Sequence, residues 1–103
     1  MEKVIRDGKV AVLVSGGFGA GWYSWNNNHE QLLFHPKLVE MVENNRQKEI
    51  TDEWVTENLG LDIYTGGAYN LSIEWLPIGT AFRINEYDGS ESIETLDSLT
   101  LVA

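Results

Sequence analysis

The sequence predicts an α+β domain in which a mainly antiparallel sheet carries two central helices packed on one face. Three observations predict it. Strand-like segments come first and last, and helical periodicity is confined to the middle of the chain. Two Asp-Gly dipeptides, Asp7-Gly8 and Asp88-Gly89, stand between strand-like runs, where a two-residue hairpin needs positive φ at both central positions. The alternation of strand and helix that marks a doubly wound fold is missing, as are the glycine spacing of a dinucleotide fingerprint and the Lys-Ser/Thr ending of a phosphate loop. All 103 residues fit one domain, long enough to build its own core.

In order, Glu2 to Ser15 reads as two strands around Asp7-Gly8, a register that sets Ile5 opposite Val10. Val10-Ala11-Val12-Leu13-Val14 is apolar without interruption, the pattern of a central strand buried on both faces. Any of Asn26, Asn27 and Asn28 can cap a first turn, and Glu30 to Phe34 then form a short helical piece ending before Pro36. Pro36 suits the first position of an amphipathic helix carrying Leu38, Val39, Met41 and Val42, which runs to Asn44-Asn45. A second helix starts at the N-cap Thr51, with Asp52 and Glu53 matching the helix dipole and Ile50 stapled to Val55. Gly60 closes it. The polar span Glu43 to Glu49 is a solvated connection.

From Leu61 the pattern turns to β. Leu61-Asp62-Ile63-Tyr64 is a short run before a Gly66-Gly67 turn, and Leu71, Ile73 and Trp75 alternate with Ser72 and Glu74. Thr80 to Tyr87 and Ser90 to Leu96 flank Asp88-Gly89, which pairs Phe82 with Thr95, Arg83 with Glu94, Ile84 with Ile93 and Glu86 with Glu91. The last pair opposes like charges, which a cation, an arginine or solvent must relieve; a solvated edge is the expectation. Leu99 to Val102 makes a final strand.

Sixteen acids against seven bases give a net charge of −9, which argues against direct nucleic-acid binding, since phosphate neutralisation needs clustered Lys and Arg. The absence of cysteine excludes disulfides and thiolate metal sites and fits a reducing cytoplasm. With no apolar stretch of membrane-spanning length and no apolar leader after Met1-Glu2-Lys3-Val4, the expectation is a soluble cytoplasmic protein without a membrane partner. Four tryptophans give more ring surface than so short a chain easily buries, which predicts a homo-oligomer.

The sequence excludes more chemistry than it offers. His29 and His35 lack the i, i+4 spacing of a helical zinc pair, so no metal or cofactor is expected. Ser15, Ser24 and Ser72 have no nucleophile-elbow context, and no catalytic residue is assigned; the chain reads as a binder, not an enzyme. The candidate site is Ser15 to Asn26, with four glycines and four aromatic residues. Phe18, Trp22, Tyr23 and Trp25 either fill a core or wall a pocket for a planar ligand, with glycine amides turned to phosphate oxygens. Phe82 adds a ring, and Arg83 a cationic fork with Asn85 and Tyr87 on the same strand face, unless Glu94 takes it.

Gly-Phe-Gly-Ala-Gly-Trp-Tyr-Ser-Trp after an apolar strand, together with Phe-Arg-Ile-Asn-Glu-Tyr-Asp-Gly-Ser-Glu-Ser-Ile, resembles small acidic proteins encoded by tailed phages and prophages. Size and α+β layout are similar to phage anti-defence sponges, which sequester cyclic nucleotide or cyclic ADP-ribose signals between subunits. The resemblance implies a binder of a nucleotide-derived small molecule; the residues above rest on side-chain chemistry alone. Two other functions stay open: an acidic inhibitor that mimics nucleic acid and blocks a host enzyme, and a phage structural or assembly protein.

Overall fold

A computed structural model describes residues 2–26, 29–95 and 101–103 and gives an α+β fold with antiparallel strands. Asn27, Asn28, Leu96, Leu99 and Thr100, named above as caps or strand residues, lie outside the described residues. Strand β1 (Ile5–Arg6) turns at Asp7-Gly8 into β2 (Lys9–Ser15), with Ile5 opposite Val10 as the turn requires. Asp7 and Gly8 take φ of 52° and 74°, the positive pair that suits a tight hairpin. A short helix α1 (Gln31–Phe34) precedes α2 (Pro36–Glu43) and α3 (Asp52–Leu59). Then come β3 (Leu71–Pro77), β4 (Ala81–Tyr87), β5 (Ser90–Thr95) and β6 (Leu101–Val102).

The strands divide into two sheets, β1-β2-β3 and β5-β4-β6, where one had been expected. The reason lies in β2. Ala11 and Leu13 pack with Leu38, Val39, Met41, Val42 and Val55 of α2 and α3, whereas Val10, Val12 and Val14 pack with Leu33, Phe34, Phe82 and Leu101. A strand apolar on both faces needs a cover on each, and the second sheet with α1 supplies the one the longer helices cannot. Phe34 and Phe82 meet edge to face there, ring centroids 6.3 Å apart.

Helix ends follow local chemistry. Thr51 accepts the Trp54 amide as N-cap of α3, and Gly60 ends that helix in the left-handed region at φ 71°. Leu61 to Tyr64, expected as a strand, is not one: the Asn26 side chain takes both the amide and the carbonyl of Tyr64, groups a strand partner would have used. Asn26 also donates to the Trp22 carbonyl, so it braces a loop and caps no helix. The Gly66-Gly67 turn continues as a 3₁₀ helix, Gly66–Asn70.

His35 caps α2 through Nδ1, which accepts the Lys37 amide. Burial, and then the Lys37 charge, lower its pKa against an opposing pull from Glu2. A depressed folded pKa means the unfolded chain binds the proton first. The contribution is therefore full above the ordinary value, about 6.5, and lost as pH falls through the lower folded value. We expect unfolding monitored by circular dichroism to show a loss of stability in that window, before the carboxylates titrate. His35→Asn, which caps without titrating, should remove the step. An unchanged pH profile in that variant would show that His35 is not its source.

Candidate functional site

The glycine-aromatic stretch leaves the end of β2 and lies between two other segments. Gly67 packs so closely on it that a Cβ there would stand 2.5 Å from the Gly21 carbonyl oxygen, so only glycine allows this backbone approach. Ser15 Oγ donates to the Gly67 carbonyl at 2.7 Å. On the other flank, the Gly19 amide donates to the Asp88 carbonyl at 3.0 Å and Ser90 Oγ to the Gly16 carbonyl at 2.9 Å, which ties the loop to the β4–β5 turn.

The organising group is Glu91, only 4% exposed. Its Oε1 accepts from the Ser15 amide at 3.0 Å, and its Oε2 accepts from the Trp22 amide at 2.8 Å, the Ser24 amide at 2.9 Å and Ser24 Oγ at 2.6 Å. The β4–β5 register is the one the turn predicts, Glu86 opposite Glu91 included, but the pair is not a solvated edge. Glu91 is withdrawn into the loop and Glu86 accepts the Gly89 amide, so each carboxylate has its own donors and the like charges need no cation. One signal for this was present: Glu91 shares the inner strand face with Ile93 and Ile84, and a carboxylate on an apolar face must find donors, of which a glycine loop has many.

The expected binding residues separate into two groups. Trp22 is fully buried, with Nε1 donating to the Leu32 carbonyl at 2.8 Å, and Phe82 is fully buried against Phe34. Neither offers a ring face to a ligand; both belong to the core. Tyr23 is half-buried between the two clusters, and burial, then Glu30, raise its pKa. Phe18 is 72% exposed, Trp25 44% and Tyr87 78%. Tyr64, which sequence reasoning missed, lies beside Trp25 in a near-parallel pair with planes 22° apart and centroids 6.3 Å apart. Arg83, Asn85 and Tyr87 share the outer face of the second sheet, as strand alternation requires. There Arg83 pairs with Glu94 at 3.1 Å and Asn85 also donates to Glu94, a bond that leads the lowering of the Glu94 pKa ahead of the Arg83 charge.

Phe18, Trp25, Tyr64 and Tyr87 are exposed rings on or beside the glycine loop, here called its rim: Trp25 lies beside Tyr64, and Phe18 and Tyr87 each precede a partner in the Gly19–Asp88 hydrogen bond. No charged residue occurs from Ser15 to Asn26, nor from Ile63 to Ile73, and these two segments touch at Gly17 and Asn70, Gly21 and Gly67, and Trp25 and Tyr64. The loop amides of Ser15, Trp22 and Ser24 hold Glu91, and of the glycine amides expected to face a phosphate, that of Gly19 is taken by the Asp88 carbonyl. Elsewhere an open groove of about 680 Å³ gathers His29, His35, Glu2, Glu30 and Lys37. Among the described residues no three His, Cys, Asp or Glu side chains converge as a metal site needs. No described helix is long and apolar enough to cross a membrane. Compared with known proteins, the chain matches no family model, no curated protein and no solved structure.

Proposed function

We propose that this protein is a non-catalytic binder that sequesters a planar, nucleotide-derived small molecule on the aromatic rim, in the manner of a phage anti-defence protein acting in a bacterial cytoplasm. The charge-free pair of segments carries this reading. A chain of net charge −9 repels a phosphate-bearing ligand within about a Debye length, ~8 Å in physiological salt, so local attraction has to win. The two segments bring no carboxylate of their own, so attraction can win there, with Asp52 on Thr65 and Asp88 after Tyr87 as the acids that border them. Stacking contributes ~1–3 kcal/mol per base, and Phe18, the Trp25–Tyr64 pair and Tyr87 supply the ring surface. Arg83, on the same strand face as Tyr87, can exchange its exposed Glu94 partner for a phosphate, because such surface pairs are worth only ~0–1 kcal/mol. The exposed rings also suit pairing of two rims in a homo-oligomer.

Calorimetry against cyclic di- and trinucleotides and cyclic ADP-ribose isomers, with light scattering alongside, tests the reading. One ligand should bind and be recovered chemically unaltered by mass spectrometry. Trp25→Ala and Arg83→Ala should each weaken it about tenfold or more, a loss of ~1.4 kcal/mol. Silence across the panel overturns the proposal, an altered ligand makes the protein an enzyme, and a monomer at every concentration removes the oligomer. A second reading rests on α3, where Asp52, Glu53 and Glu57 are exposed between Glu49 and Asp62. Such a row suits an acidic inhibitor that occupies a basic cleft, and capture of a nucleic-acid enzyme by a chain that ignores the panel would favour it.

A further inference from the structure

We infer that Glu91 is the positioning residue of the rim: an internal carboxylate that serves as the ligand of the glycine loop and sets where its rings stand. The inference deepens the rim reading, and its test reads the loop itself, so the two can fail separately. The Ser15 and Trp22 amides, with the Ser24 amide and hydroxyl, converge on one carboxylate from three points of the loop. Ser15 ends β2, Trp22 is the buried plug, and Ser24 lies in the 3₁₀ turn Tyr23–Trp25. Binding all three to one side chain of β5 draws the intervening Gly16 to Gly21 into an arch, with Phe18 displayed on it and Trp25 brought to Tyr64.

A nest of convergent N–H groups recognises the anion, not the chain that carries it. Glu91→Ala should therefore open a site for a free monocarboxylate, and formate or acetate should restore the loop. Glu91→Gln should not be restored. The amide fills the same space, yet it must present an N–H either to the Ser15 amide or to the Trp22 and Ser24 donors.

The experiment measures amide hydrogen exchange in the full chain, comparing Trp22 and Ser24 with Val12 of the β2–β3 ladder. In Glu91→Ala, exchange at Trp22 and Ser24 should quicken roughly tenfold or more relative to Val12. Formate or acetate should reverse this saturably, whereas sodium chloride at matched ionic strength should not. Near-ultraviolet circular dichroism of the aromatic rings should follow the same course. Equal acceleration at all three amides, or no difference between formate and chloride, overturns the inference and leaves Glu91 a general stabiliser. If Glu91→Ala does not fold alone, Glu91→Asp, which keeps the carboxylate on a shorter stem, is compared at the same three amides: selective quickening at Trp22 and Ser24 supports the positioning role, and equal quickening overturns it.

Discussion

Replacing Trp22 with alanine is expected to cost about 3–5 kcal/mol, the largest loss from any single truncation in the loop. The indole is fully buried among Leu13, Leu32, Leu38, Ile63 and Leu71, and its Nε1 donates to the Leu32 carbonyl at 2.8 Å. Truncation leaves both a cavity and a carbonyl without its donor. Domains of this size are stable by only about 5–15 kcal/mol, so the variant should sit near the edge of folding, with a melting temperature lower by more than about 12 °C. Trp25→Ala, at an exposed ring three positions on, should stay within about 1 kcal/mol of the parent in urea titrations. A Trp22→Ala loss as small as that would show that the ring does not plug the core.

Gly89→Ala and Gly8→Ala form a matched pair, because both glycines follow aspartate in a hairpin turn at positive φ, 86° and 74°. Each substitution meets the conformational cost of a side chain in the left-handed region, about 1–2 kcal/mol. At Gly8 nothing lies within 4 Å of the added Cβ, so the cost should end there. At Gly89 the Cβ would fall on the Ala20 amide nitrogen and the Gly19 carbonyl carbon. The turn would have to withdraw from the loop, which strains the bond from the Gly19 amide to the Asp88 carbonyl and adds about 1–3 kcal/mol of overpacking. Urea midpoints should therefore fall further for Gly89→Ala than for Gly8→Ala. Equal losses would mean that the hairpin turn does not bear on the loop.

Of the candidate site, the sequence showed the exposed rings of the loop but not which rings are buried. A glycine-rich loop at the end of a buried strand, studded with rings, pointed to Phe18 and Trp25, and both are exposed. The same composition could not separate them from Trp22, because rings one turn apart in an irregular loop carry no periodicity that tells inside from outside. Tyr64 was invisible for a related reason. Its segment looked like a strand until the Asn26 side chain, distant in sequence, took its backbone groups.

By itself the sequence determined the hairpins, the two caps of α3 and the burial of β2, because each rests on residues only a few positions apart. Asp-Gly turns dictate the registers of β1 with β2 and of β4 with β5, Thr51 and Gly60 bound α3, and an unbroken apolar run requires cover on both faces. Only the tertiary structure decided that the strands split into two sheets and that Glu91 crosses from one hairpin to hold the loop of the other. Those outcomes depend on meetings between residues about seventy positions apart, where burial selects the partner: a carboxylate turned inward must find donors, and the amides of Ser15, Trp22 and Ser24 are the ones the folded chain brings to it.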